Sequence, residues 1–123
     1  MALHLVAGRS SIATGRDWIA SEAVLGGLAA DHAPLLRLLS SELITNAVEH
    51  GPRSGDVTIR VRCVDDQIRV EVDDEGSNPP QLRAADFAAV GGQGMRLVDA
   101  YATRWGCHLR GADGKTVWFD VPI

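Results

Sequence analysis

The chain has 123 residues, of which 46% are hydrophobic and 23% are charged, and we expect residues 1–123 to form one globular domain. No apolar run approaches the ~20 residues of a membrane-spanning helix, and no basic stretch followed by an apolar one marks a secretory signal. The formal net charge of −4 disfavours a direct contact with nucleic acid. A cytoplasmic protein is therefore expected.

The first half of the chain is predicted to contain a short strand and two helices. The strand covers residues 3–6, and the first helix runs from Ser10 or Ser11 to about residue 25, before a Gly-Gly stop. The second helix is predicted from Asp31, as its N-cap, to about His50, where a Gly-Pro pair ends it. The expected buried positions of the first helix are Trp18, Ile19 and Leu25.

The pattern then changes from a helical to a strand period. Residues 57–63 alternate apolar and polar side chains, and residues 68–72 do the same after a turn at Asp65-Asp66. The polar positions include three basic residues that we expect on the solvent face of the sheet. They are Arg60, Arg62 and Arg69.

The rest of the chain is predicted to form a long loop, a helix and two further strands. Residues 77–91 show little periodicity, and a connection of this length favours a functional loop. A helix is expected from about residue 94, followed by strands at 105–109 and 115–121. The predicted fold is α+β, a mostly antiparallel sheet with helices on one face. The inward positions of the last helix are Met95, Val98 and Ala102.

The cysteines and histidines do not form a metal-binding pattern. Cys63 and Cys107 fall in strand patterns without ligand spacing, and the four histidines are scattered. We expect both cysteines to behave as small buried hydrophobic residues in a reducing compartment.

One face of the second helix changes from apolar to polar along its length. Leu35, Leu39, Glu42, Asn46 and His50 fall within about a quarter-turn of one another, at roughly 100° per residue. Turning a carboxylate and an amide toward the core costs several kcal/mol unless a partner satisfies them. A polar ligand at this end of the helix is one interpretation. A helix end that runs into solvent is the other, and this segment alone does not separate them.

Asp74 continues the alternation of inward-facing residues along the second strand of the hairpin. Two places beyond the last apolar residue of that strand, it is predicted on the covered face of the sheet, where a carboxylate needs a donor. Gly76 follows and has no side chain to obstruct a group lying against the backbone. Viewed alone, an Asp-x-Gly sequence is more often a plain turn.

A glycine-rich segment, residues 91–94, leads into the last predicted helix. Backbone N–H groups and the positive end of the dipole at a helix N terminus favour phosphate. A flexible loop before a helix is the alternative. A dinucleotide-binding fingerprint is excluded because the third glycine and the preceding strand are missing. A Walker-type loop is excluded because no Gly-Lys-Ser/Thr is present.

The order of these motifs resembles the GHKL superfamily of ATP-binding domains, with gyrase, heat-shock chaperone, histidine kinase and mismatch-repair types. More narrowly, residues 42–51, 70–76 and 114–119 resemble the bacterial anti-sigma-factor serine kinases. The similarity extends from about Leu3 to Pro122. It implies a two-layer GHKL sandwich that binds ATP and Mg²⁺.

The resemblance implies a role for three polar residues. Asn46 would bind Mg²⁺ through its side-chain oxygen, which suits a hard cation. Glu42, one turn earlier, would orient or deprotonate the attacking hydroxyl or water. Asp74 would accept a hydrogen bond from the amino group of adenine.

The resemblance also implies backbone contacts with the nucleotide. Gly76 would let the purine approach, and Gly92 and Gly94 would present amides to the phosphates. Met95, at a place that is often leucine in relatives, is counted with these nucleotide-binding positions. Residues 77–91 would close over the nucleotide as a lid.

Two further positions depart from the family pattern. Asn78 stands where a second glycine is common, and Gln93 stands where relatives are often basic. The adenine-side threonine of the family corresponds to Thr116 in the sequence. However, strand parity places Lys115 rather than Thr116 on the face of the apolar residues, so both remain candidates.

The leading hypothesis is an anti-sigma regulatory factor. It would use Mg·ATP to phosphorylate a serine of an antagonist (anti-anti-sigma) protein and would separately sequester a sigma factor. The alternative is a regulatory nucleotide-binding module that acts by protein contact without phosphotransfer, and slow ATP hydrolysis without an acceptor is a third hypothesis. Relatives commonly form homodimers, so the resemblance leaves a homodimer open, although no surface patch in the sequence identifies one.

Overall fold

The computed structural model describes residues 2–6, 9–50, 56–75, 93–110 and 114–123. The predicted loop 77–91 and the Gly-Pro helix stop lie outside these residues. The elements in chain order are β1 (Ala2–Val6), α1 (Arg9–Leu25), a short 3-10 helix (Ala30–His32), α2 (Ala33–His50), β2 (Asp56–Val64), β3 (Gln67–Asp74), α3 (Gln93–Tyr101), β4 (Arg104–Leu109) and β5 (Lys115–Pro122).

The strands form a five-stranded antiparallel sheet with the order β1-β2-β3-β5-β4. The predicted hairpin of β2 and β3 turns at Asp65 and Asp66, which adopt positive φ angles of 50° and 62°. Two such residues match the twist of the flanking strands in a two-residue turn. Because β3 pairs with β5 rather than with β4, the C-terminal end of β3 lies beside the start of β5.

One face of the sheet is covered by helices, and the core lies between the two layers. α1 packs on β2, and α2 packs on β3 and β5 and against α3. Burying one aliphatic side chain contributes about 1.5–3 kcal/mol. The aliphatic side chains buried between the two layers therefore hold the helices on the sheet. The predicted α+β fold is confirmed. The fully buried residues include Ile19, Leu36, Leu39, Ile44, Ile59, Val70 and Phe119.

Two predictions about α1 and α2 are wrong in detail. Leu25 is 81% exposed, because two residues after the buried Ala23 the helix has turned to its outer side. Asp31 lies inside the 3-10 helix, and α2 begins after it at Ala33. Among the described residues, no helix has the length and the apolarity to cross a bilayer.

The prediction that both cysteines are buried is also wrong. Cys63 is exposed and Cys107 is half-buried, and both are free thiols. α1 ends just before Gly26, whose carbonyl oxygen accepts from the thiol of Cys63 at 3.6 Å. Since this glycine has no side chain, it leaves the sulfur open to solvent.

Candidate functional site

A buried ion pair lies where the ends of β3 and β5 meet. Asp74, the last residue of β3, is 3% exposed, and Lys115, the first residue of β5, is 1% exposed. The two residues are direct cross-strand partners. The ammonium Nζ of Lys115 lies 3.1 Å from Oδ1 and 3.0 Å from Oδ2 of Asp74. The inward position predicted for Asp74 is therefore observed, and an ammonium within the chain faces it.

The backbone at the end of β3 is fixed by the β4–β5 hairpin. Gly114 has a φ of +118°, and a Cβ added there would overlap the carbonyl oxygen of Asp74 and lie 2.8 Å from Cα of Glu75. Only glycine combines this angle with such a close approach. Arg110 donates from Nη2 to the carbonyl oxygen of Asp74 at 3.1 Å. These contacts hold the carboxylate in place against β5.

The polar half of α2 belongs to the helix that packs on β3 and β5. Asn46 and Glu42 are half-buried, and Leu39 and Leu43 on the same helix are fully or almost fully buried. Oδ1 of Asn46 is buried and has no hydrogen-bond partner within the part of the chain that the structure describes. A buried amide oxygen of this kind is a suitable ligand for a hard cation.

A metal held only by protein side chains is not seen among the described residues. They contain no group of three or more His, Cys, Asp or Glu side chains that could bind one ion. Mg²⁺ often uses one or two protein oxygens together with phosphate oxygens and water. The isolated oxygen of Asn46 fits that kind of site, in which most ligands come from the nucleotide.

The glycine-rich segment is described only in part. Gly94 is the second residue of α3, as predicted for the start of that helix, and Met95 is buried in the core. Gly76, Gly92 and the proposed lid 77–91 lie outside the described residues. The roles assigned to these glycines, to Glu42 and to Met95 stay predictions.

Thr116 lies on the other face of the sheet from Asp74. Its Oγ1 donates to Oδ1 of Asp73 at 2.6 Å and accepts from Nη1 of Arg110 at 3.3 Å. Oδ2 of Asp73 also contacts Nη1 of Arg60 at 2.7 Å. Neighbouring residues of a strand point to opposite faces of the sheet. These contacts therefore lie on the face that the helices do not cover, called the open face below.

The structure thus brings together Asp74 and Lys115, and not Asp74 and Thr116. Lys115 and Thr116 were both candidates from the sequence, and the family resemblance favoured Thr116. Lys115 alternates in step with the apolar residues Val117 and Phe119 along the strand. This alternation, visible in the sequence, identifies Lys115 as the inward residue. Its partner across the sheet depends on the pairing of β3 with β5, which is not local in sequence.

A second carboxylate anchors the middle of the open face. Asp120 is fully buried and accepts from Nε and Nη2 of Arg69 at 2.7 and 2.9 Å and from Nη2 of Arg104 at 3.0 Å. Burial raises the pKa of Asp120, but the hydrogen bonds and charges of the two guanidiniums outweigh it and hold that pKa below its usual range. The guanidinium of Arg69 also stacks over Trp118, 4.3 Å from the ring centroid.

Cys107 lies beside the Asp74–Lys115 pair. Burial raises the pKa of its thiol, the ammonium of Lys115 acts in the opposite direction, and the carboxylate of Asp74 raises it further. The net result is a raised pKa. The thiol is therefore protonated at neutral pH, next to a buried ion pair.

The fold and this site define a class of protein. An antiparallel sheet is covered on one face by helices, and a carboxylate is buried at the end of a central strand. Among the described residues, the buried amide oxygen of Asn46 on the covering helix has no hydrogen-bond partner. The sequence profile described as the histidine kinase-like ATPase domain matches residues 6–121. The chain therefore belongs to the histidine kinase-like ATPase domain family, a GHKL-type group of ATP-binding domains.

Two solved structures share this fold. The histidine kinase domain from the Erythrobacter litoralis EL346 blue-light activated histidine kinase is 29% identical, with a TM-score of 0.59 over 77% of this chain and 46% of that domain. The Erythrobacter litoralis EL346 blue-light activated histidine kinase is also 29% identical, with a TM-score of 0.61 over 77% of this chain and 31% of that protein. The chain thus covers less than half the length of either. No curated protein is significantly similar to it.

Proposed function

We propose that the protein is an anti-sigma regulatory factor that binds Mg·ATP, phosphorylates a serine of an antagonist protein and sequesters a sigma factor. The observation that carries the proposal is the carboxylate of Asp74, buried at the end of β3 on the helix-covered face. In a family of ATP-binding domains, an acceptor at this place suits the exocyclic amino group of adenine. The motifs of residues 42–51 and 114–119 direct the proposal to the anti-sigma type.

The remaining polar groups divide the work of phosphoryl transfer. Asn46 would hold Mg²⁺ through its buried Oδ1, and the cation, when bound, neutralises charge on the phosphate oxygens. Glu42 lies one turn earlier on α2 and would orient or deprotonate the serine hydroxyl. Phosphoryl transfer depends mainly on positioning and charge stabilisation, so few side chains are needed.

A second candidate is a regulatory module that binds nucleotide, or none, and acts by protein contact alone. The ion pair of Asp74 favours it, because Lys115 contacts both oxygens of the carboxylate. An adenine amino group would have to share that carboxylate with the ammonium. The position of Gln93, where relatives are often basic, favours it as well.

Incubation with γ-labelled ATP, Mg²⁺ and a candidate antagonist protein separates these functions. Phosphoserine on the antagonist, abolished by EDTA, supports the kinase. Removing a general base should slow transfer by about 10²–10⁴-fold in Glu42→Ala while ATP binding is kept. ATP binding without phosphoserine would leave the regulatory module, and no ATP binding at all would leave only a module that acts by protein contact without nucleotide.

A further inference from the structure

Lys115 differs from every other basic residue of the chain. It is the only lysine among twelve basic residues, and the other eleven are arginines. It is also almost completely buried, at 1% exposure. A lysine presents a compact point charge on a flexible stem, whereas an arginine presents a broad planar fork. The chain thus carries its one side-chain ammonium group inside the candidate base-binding site.

The ammonium and the carboxylate present a donor and an acceptor side by side. Nζ of Lys115 lies 3.1 and 3.0 Å from the two oxygens of Asp74. An ammonium has three N–H groups, and the two oxygens of a single carboxylate lie too close together to occupy all three. If a ligand donates a hydrogen bond to the carboxylate, the third N–H can donate to an acceptor atom of the same ligand next to that donor.

Adenine has this pattern on one edge. Its amino group is a donor, and the neighbouring ring nitrogen N1 is an acceptor. We propose that Lys115 is a second base-recognition residue, whose ammonium donates to N1 while Asp74 accepts from the amino group. The inference rests on the proposed nucleotide binding. Guanine presents donor and acceptor in the reverse order on this edge, which would place its carbonyl oxygen against the carboxylate.

A purely structural role makes a different prediction. If Lys115 only neutralises Asp74, changing it alters stability and the affinity for every nucleotide, whatever the base carries at position 1. If Lys115 contacts the base, the affinity depends on the acceptor at that position. The comparison of ATP with 1-deaza-ATP, in which a C–H group replaces N1, isolates this difference.

Calorimetric titration of the whole chain with both nucleotides is the test. A hydrogen bond from a charged donor predicts that the wild-type protein binds 1-deaza-ATP about 10- to 100-fold more weakly than ATP. In Lys115→Met this preference should vanish. Equal binding of both nucleotides by the wild-type protein, or an unchanged preference in the variant, overturns the inference.

A second variant guards against loss of folding. Lys115→Met leaves a buried carboxylate without its cation, whereas Asp74→Asn/Lys115→Met removes both charges together. The double variant should also lack the preference for N1, and a preference that survives in it contradicts the inference.

The single lysine also allows a measurement without any substitution. Selective ¹⁵N-lysine labelling gives one side-chain ammonium resonance. It should shift with ATP and shift clearly less with 1-deaza-ATP at saturation, and equal shifts overturn the inference. If ATP itself does not bind, the proposed function fails; if ATP binds without preference for N1, only the role of Lys115 fails.

Discussion

Asp73 and Asp74 are neighbours in β3, but the sheet separates their surroundings. Both side chains are nearly buried, with 10% and 3% of their surface exposed. The guanidiniums that contact Asp73, from Arg60 and Arg110, keep 40% and 31% exposure, whereas Lys115 beside Asp74 keeps 1%. The charge pairs of Asp73 are therefore partly hydrated, whereas the pair of Asp74 and Lys115 is dry.

The difference separates a structural carboxylate from a candidate binding one. Around Asp73, water can reach the guanidiniums and replace a lost partner, so each of its ion pairs contributes little. On the covered face, either charge left alone is costly, because water does not reach it. A ligand donor that bonds to the carboxylate gains more where water does not compete for it.

The largest expected effect is on stability. Lys115→Met should lower the free energy of unfolding by about 3–5 kcal/mol, because it leaves the buried carboxylate of Asp74 without the positive charge of the ammonium. Arg60→Met, the matched change on the open face, should lower it by about 1 kcal/mol or less. Urea denaturation of both variants measures this. Equal losses would show that the two faces do not differ in hydration.

The next effect is on nucleotide affinity. Asp74→Asn should weaken ATP binding by up to about 100-fold, since an amide can present a donor to the adenine amino group instead of a charged acceptor. Asp73→Asn should leave ATP affinity close to the wild-type value, because Asp73 points to the other face. Titration calorimetry compares the two. An equal loss in both variants would disconnect Asp74 from the base.

The stability that Asp120 contributes on the open face should decrease in acid. The pKa of Asp120 is lowered in the folded chain, so its stabilisation is complete above its unfolded pKa of about 4 and is lost as the pH falls through the folded value. Asp120→Asn should cost about 1.5 kcal/mol at pH 7. Urea denaturation across pH 2–7 should show the difference from wild type shrinking below about pH 4. A constant difference would argue against a charged role.

The smallest effect concerns the two thiols. Cys63 is exposed, whereas Cys107 is half-buried and has a raised pKa. Since the thiolate is the reactive form, Cys63 should react with a disulfide reagent about tenfold faster at pH 7.5. The single variants Cys63→Ser and Cys107→Ser assign the two rates. Similar rates would mean that the surroundings of Lys115 are open to solvent.

Much of this contrast could be predicted from alternation within single strands. Parity placed Asp74 on the covered face and Arg60 and Arg69 on the open one, because a strand needs only its own sequence to set its two sides. The same parity placed Lys115 inward, while family resemblance favoured Thr116. What the sequence did not contain was the partner of each charge, which depends on strands that are distant along the chain.

The errors have a related cause. Leu25 and Cys63 follow the local hydrophobic pattern, but they lie where α1 ends and leaves its neighbours uncovered. Burial at such a margin depends on how far one layer extends over the other. Periodicity carries no information about that extent. It correctly predicts the burial of positions under the helical layer, such as Ile59 and Val70.

Gly114 has a consequence for how this chain can evolve. The hydrogen atom in place of a side chain lets the hairpin lie directly on the carbonyl group that closes β3. Any heavier residue would push the two strand ends apart and move the acid away from its amine. In a library of all single substitutions, we expect position 114 to tolerate almost nothing, even though it performs no chemistry itself. Selection for ligand recognition would then act on a residue that never meets the ligand.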